Sequence, residues 1–164
     1  MSNLKYAGKN LFIEKLSIAN LVKKYKTPFY LYSENQLKEN YKKFVSTFSK
    51  IKPLVCFAAK SNSNLSILKS LKKLGAGVDV VSGGELLKAL KAGVKANKIV
   101  FSGVGKTEEE LKIAINKKIL LINCESESEA HLINKIAKKS KRKVSIGFRL
   151  NPNIDAKTHK KIST

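Results

Sequence analysis

Gly77-Val-Asp-Val-Val-Ser-Gly-Gly-Glu-Leu-Leu-Lys-Ala-Leu-Lys-Ala-Gly-Val-Lys-Ala-Asn-Lys-Ile-Val-Phe101 holds a strand, a helix and a second strand. Val78-Asp79-Val80-Val81 lacks the strict alternation of a half-exposed strand, the pattern of a strand covered on both faces. Leu86, Leu87 and Leu90 follow at helical spacing, Gly93 stops the helix, and Ile99-Val100-Phe101 starts the next strand. Upstream, Leu54 to Ala59 is a continuous apolar run, followed by a helix bearing Leu65, Leu68, Leu71 and Leu74. Downstream, Thr107 and Glu110 box the start of a helix carrying Leu111, Ala114 and Ile115. Ile119-Leu120-Leu121-Ile122 is the fourth strand, Ser126 and Glu129 box a helix with Leu132, Ile133 and Ile136, and Val144 to Phe148 is the fifth strand.

Strands recurring every roughly 20–25 residues with one helix per gap predict parallel βαβ units. A doubly wound dinucleotide sheet would carry a Gly-rich fingerprint after an early strand. Gly103-Val104-Gly105 is too short a match, so a partial (β/α)8 barrel of about five βα units is expected. Its 164 residues are short for a closed barrel, which needs about 250.

Before this repeat, Leu11-Phe12-Ile13 reads as a strand and Ser17 caps a helix with Ile18, Leu21 and Val22. Thr27-Pro28 breaks the chain, Phe29-Tyr30-Leu31-Tyr32 reads as a β-rich run, and Ser33 with Gln36 opens a helix bearing Leu37, Tyr41, Phe44, Val45 and Phe48.

Lys and Arg number 33 against 12 Asp and Glu, a net charge of +21. Only Arg142 and Arg149 are arginines, the residue suited to bidentate phosphate and base contacts. The lysines scatter along the polar sides of helices, so solvated faces are expected rather than a nucleic-acid surface. No apolar run reaches the roughly 18–20 residues of a membrane span, and the first ten residues lack the apolar centre of a signal peptide. Two cysteines cannot frame a disulfide scaffold or a four-ligand zinc site, so no metal is expected and a reducing, cytoplasmic home is the default. Cys56 and Cys124 read as inert thiols, and His131 has no partner at ligand spacing.

Polar residues gather at the C-terminal ends of the strands, where parallel barrels build their sites. They are Lys60-Ser61-Asn62, Asp79 with Ser82 and Glu85, Ser102, Asn123 to Glu125, and Arg149 to Asn151. Ser102 and Asn123 are accounted for by ordinary loop polarity. Lys60 is not, because it ends the most apolar strand. An amine desolvated by Phe57, Ala58 and Ala59 would lose proton affinity and could attack an aldehyde. Asp79 interrupts an apolar run and calls for a cationic partner, with Lys60 on the next strand the expected one. Ser82 is better placed than Asp79 to cap the following helix.

Phe57-Ala-Ala-Lys60-Ser-Asn resembles the cofactor-lysine motif of the fold-type III pyridoxal-phosphate (PLP) enzymes. Gly77-Val-Asp79-Val-Val-Ser82-Gly-Gly-Glu85-Leu is similar to the second-strand motif of their decarboxylase branch. Phe101-Ser-Gly-Val-Gly-Lys-Thr107 and the stretch from Phe148-Arg149-Leu-Asn151-Pro152 to Thr164 resemble the diaminopimelate decarboxylase family, as do Tyr6-Ala-Gly and Thr27 to Ser33. The likeness runs in order over nearly the whole chain.

The resemblance implies a PLP-binding (β/α)8 barrel, with residues 1–26 contributing to a second, β-rich domain and residues 27–164 forming the first part of the barrel. It implies decarboxylation of meso-2,6-diaminopimelate to L-lysine and CO2 by a cytoplasmic homodimer, with a small amino-acid substrate and no membrane partner. Lys60 matches the family's cofactor lysine. Asp79 and Glu85 match acidic positions near it, Arg149 matches a barrel arginine near the cofactor, and His159 falls in a loop over the site. The family's phosphate-gripping and ring-nitrogen residues come later than Thr164, so the chain is expected to be an incomplete, inactive N-terminal part of the enzyme. An ornithine- or arginine-type decarboxylase of the same fold and a non-catalytic PLP-binding barrel are the alternatives.

Overall fold

The computed structural model describes residues 3–48, 50–154 and 157. Two sheets are present among them. A three-stranded antiparallel sheet joins β1 (Leu4–Ala7), β2 (Asn10–Ile13) and β3 (Leu16–Ser17), followed by α1 (Ile18–Tyr25) and α2 (Glu34–Ser46). The second sheet is parallel and five-stranded, in the order β4 (Cys56–Ala58), β5 (Gly77–Val80), β6 (Ile99–Phe101), β7 (Leu121–Cys124), β8 (Ile146–Phe148). One helix lies in each gap: α3 (Leu65–Lys73), α4 (Gly83–Lys91), α5 (Glu108–Lys117) and α6 (Glu127–Lys139). Strand order follows chain order, which is how successive βα units add around a barrel. No helix among the described residues is long and apolar enough to cross a membrane.

One face of the parallel sheet carries the core. Val78, Val80, Ile99, Phe101, Ile122 and Cys124 point into it and are at most 1% exposed. They meet Leu68 of α3, Leu86 and Ala89 of α4, Leu111, Ala114 and Ile115 of α5, and Ile133 and Ile136 of α6. Each large aliphatic or aromatic group so buried contributes roughly 1.5–3 kcal/mol. Because strand side chains alternate, Asp79, Val100, Leu121, Asn123 and Gly147 fall on the opposite, inner face and are only partly buried.

The helix starts follow the sequence signals. Ser33, Ser82, Thr107 and Ser126 each accept a hydrogen bond from the backbone N–H three residues on. At α5 both halves of the capping box form. Gly93, with φ +84°, follows the end of α4 in a conformation that costs glycine little.

Some expectations fail. Ser17 stands at the N-cap of α1, but its side chain accepts no capping hydrogen bond. Phe29 to Tyr32 forms no strand, and Tyr30 is 91% exposed. Strand propensity there describes side chains suited to a half-buried sheet surface, and no ladder partner adjoins them among the described residues. The fourth strand is Leu121–Cys124 rather than Ile119–Ile122. Ile119 closes the end of α5 instead, its N–H reaching the Ala114 carbonyl after Lys118 takes a left-handed turn. That shift carries Asn123 into the strand and onto the inner face.

Candidate functional site

The C-terminal edge of the parallel sheet gathers most of the polar residues singled out in the sequence. Lys60 lies in a single 3-10 turn, Ala59–Ser61, directly after β4. Two residues earlier, Ala58 pairs with Asp79 across the β4–β5 ladder. Ala59 is fully buried, but Lys60 is exposed, so its apolar neighbours do not desolvate it here. The expected Lys60–Asp79 ion pair is also absent. Asp79 Oδ1 instead accepts a 2.6 Å hydrogen bond from Ser102 Oγ, and Ser102 Oγ accepts one of 3.0 Å from Asn123 Nδ2. Asp79, Ser102 and Asn123 thus form a polar row from β5, the residue after β6, and β7. Loop polarity does not explain Ser102 and Asn123 after all. The signal that could have found them is their position: each lies at a strand end in the register that faces Asp79.

Glu85 and Arg149 are at the same edge but face other partners. Glu85 Oε2 accepts from the Val81 N–H at 2.9 Å while Ser82 caps the helix below it. Arg149, just past β8, lies 3.7 Å from the carboxylate of Glu125 and stays half-exposed. His159 lies outside the described residues. Cys124 is buried, and burial pushes the thiols of Cys124 and Cys56 up, which keeps both in the unreactive form. His131 is on the exposed side of α6, 3.5 Å from Glu127 one turn away. A groove of about 580 Å³ lies elsewhere, between the antiparallel sheet, α2 and α3, and none of the polar row lines it.

Lys106 is the residue that sequence reasoning missed most completely. It is the one buried charged residue among those described. Its ammonium donates to the carbonyls of Gly103 (2.6 Å) and Asn123 (2.7 Å) and pairs with Glu129 at 3.0 Å. Glu129 also accepts from the Glu125 N–H, and Glu110 accepts from both Thr107 and Gly83. The starts of α4, α5 and α6 are therefore linked one to the next along the site edge.

Glu110 carries a pH dependence. Backbone N–H groups of Thr107 and then Gly83 hold its carboxyl below the ordinary glutamate range. A carboxylate whose folded pKa is depressed stabilises the fold above its unfolded pKa, and that stability is lost as the pH falls through the folded value. Glu110→Gln is expected to cost about 1–2 kcal/mol near neutral pH, with the gap from wild type closing in acid. Urea midpoints of both proteins across that range check it, and a pH-independent gap would contradict it.

These side chains fit an anionic aldehyde cofactor. One exposed primary amine, a guanidinium, and a hydroxyl–amide–carboxylate row share the C-terminal edge of the sheet.

Comparison with known proteins agrees with that donor set. The model of the family described as pyridoxal-dependent decarboxylase, pyridoxal binding domain, matches residues 34–164. Diaminopimelate decarboxylase of Aquifex aeolicus is 45% identical over 161 residues, covering 98% of this chain and 38% of that protein. The Helicobacter pylori (strain J99) enzyme of the same name is 51% identical over 144 residues, covering 88% of this chain and 36% of that protein. The solved diaminopimelate decarboxylase from M. jannaschii in complex with L-lysine superposes with a TM-score of 0.90 at 40% identity, covering 98% of this chain and 38% of that one. The chain thus spans somewhat over a third of the length of the relatives it matches. With the model of the pyridoxal-binding domain matching from the first turn of α2 to residue 164, and a lysine at the C-terminal edge of the parallel sheet near a polar strand row, the chain belongs to the pyridoxal-dependent decarboxylase family.

Proposed function

We propose that the complete gene product decarboxylates meso-2,6-diaminopimelate to L-lysine and CO2, a lysine-biosynthetic lyase with PLP held on Lys60. The observation that carries this reading is the exposed Lys60 amine at the C-terminal edge of the sheet, beside Asp79, in a chain similar to diaminopimelate decarboxylases over 98% of its length.

Bound PLP supplies an electron sink for the pair left behind when a carboxylate departs as CO2. Lys60 would hold the cofactor's aldehyde carbon through Nζ and return a proton to the substrate carbon that loses CO2. Asp79, which pairs with Ala58 two residues before Lys60, would offer its carboxylate as a counter-charge near that amine with the cofactor bound. The guanidinium of Arg149 and the second carboxylate oxygen of Glu85 are available to charged groups of cofactor or substrate at the same edge. His159 is assigned to the covering loop on the resemblance alone. The separate antiparallel sheet favours a domain division near residue 26, with residues 1–26 in a β-rich domain and residues 27–164 in the barrel. A cytoplasmic homodimer completes the reading.

The test is CO2 release from meso-diaminopimelate, ornithine and arginine by the PLP-loaded gene product. A preference of about a hundredfold or more in kcat/KM for diaminopimelate is expected, since a polar site rejects substrates that leave its groups unpaired. Faster turnover of ornithine or arginine would transfer the protein to that branch, and PLP binding without CO2 would make it a non-catalytic barrel. The 164 residues alone are expected to stay at the free-PLP background. Among the described residues β4 and β8 are the outer strands of the parallel sheet with no further strand paired to them, and Phe148 and Leu150 are 59% and 86% exposed.

A further inference from the structure

The hydrogen bonds of the polar row run in one direction only. The Asp79 carboxylate can only accept, so the single hydroxyl hydrogen of Ser102 is committed to Oδ1. The Ser102 oxygen must then accept from Asn123, which turns that amide with Nδ2 toward β6 and Oδ1 toward β8. Gly147 makes room for this orientation. It pairs with Asn123 across the β7–β8 ladder, and a Cβ there would lie 2.7 Å from Asn123 Oδ1. Such a contact forces the amide to move. Asn123 is held from its other side as well, because its carbonyl accepts from the buried Lys106 ammonium. Asp79 Oδ2, by contrast, has no hydrogen-bond partner among the described residues.

We infer that Ser102 and Asn123 are positioning residues that fix the Asp79 carboxylate in one orientation and leave Oδ2 for the Lys60 nitrogen, with Gly147 as the residue that gives their row its space. The inference rests on Lys60 being the PLP-bearing residue. A carboxylate tied at one oxygen to a rigid row cannot rotate freely, so its second oxygen keeps a fixed direction. Ser102 and Asn123 touch neither cofactor nor substrate in this scheme and act through Asp79.

The test uses the complete gene product loaded with PLP, with Ser102→Ala, Ser102→Thr and Gly147→Ala variants. Borohydride trapping of PLP on Lys60 is followed by peptide mapping across a pH series, and the unfolding midpoint of each variant is measured beside it. Ser102→Ala and Gly147→Ala are expected to move the midpoint of the trapping curve down by about one pH unit, because the protonated nitrogen loses an oriented counter-charge. Their kcat/KM should fall about tenfold. Ser102→Thr keeps the hydroxyl and should retain the wild-type midpoint. An unmoved trapping midpoint in Ser102→Ala, accompanied only by lower stability, overturns the inference while the PLP assignment stands. Absence of a pyridoxyl group on Lys60 in the wild-type protein overturns both.

Discussion

Lys60→Ala is expected to abolish covalent attachment of PLP and reduce CO2 release to the level of free PLP. The expectation comes from position and availability together. Lys60 follows the first strand of the parallel sheet, at the end where such barrels build their sites, and its side chain is exposed. The other lysine lodged at this edge, Lys106, is unavailable, since its ammonium already donates to two carbonyls and a carboxylate. Most of the remaining lysines occupy solvated surfaces, where an amine meets aldehyde only nonspecifically. Borohydride reduction of the wild-type protein followed by peptide mapping should therefore place the pyridoxyl group on Lys60 and nowhere else in stoichiometric amount. A pyridoxyl group on another lysine, or full labelling of the Lys60→Ala variant, would remove Lys60 from the mechanism.

The largest effect on stability is expected from Lys106→Met. The Lys106 side chain is 1% exposed and that of Glu129 is 11% exposed. Taking away one member of a buried pair strands the other, a loss of roughly 3–5 kcal/mol. Here the carbonyls of Gly103 and Asn123 lose their donor as well. The methionine fills most of the space and packs on Phe101, whose ring lies 5.7 Å from the ammonium, so the loss is electrostatic rather than a cavity. Glu129→Gln in the Lys106→Met background should recover part of the stability, because the uncompensated charge is gone. Denaturant midpoints of the wild type, Lys106→Met, Glu129→Gln and the double variant measure this cycle. A loss below about 1 kcal/mol in Lys106→Met would mean that water reaches Glu129 and that the link between α5 and α6 contributes little.

Both predictions draw on the same edge of the sheet, yet they differ in how visible they were beforehand. Lys60 could be found in the sequence because it is anomalous there, a lone cation ending an apolar strand in a stretch that resembles the family's lysine motif. Lys106 could not, because the stretch Phe101 to Thr107 resembles the family as a whole and nothing in it marks this lysine out from the many others. Its burial depends on Asn123 and Glu129, which arrive from 17 and 23 residues further along the chain.

The sequence by itself determined the parallel βα order, the start of every helix in the repeat and the strand end where chemistry should be sought. These are local properties: apolar periodicity, a hydroxyl at the N-caps of α4, α5 and α6, a glycine where a helix stops. Such signals act within a few residues and survive whatever the rest of the chain does. Tertiary structure decided which side chains meet. Asp79 was read as needing a cation and takes a hydroxyl instead, because register puts Ser102 nearer than Lys60. Asn123 became a strand residue on the inner face only because Ile119 was used to close α5. Hydrogen-bond partners across a parallel sheet are set by register and by the space that a residue such as Gly147 leaves open, and neither quantity is written in the spacing along one strand.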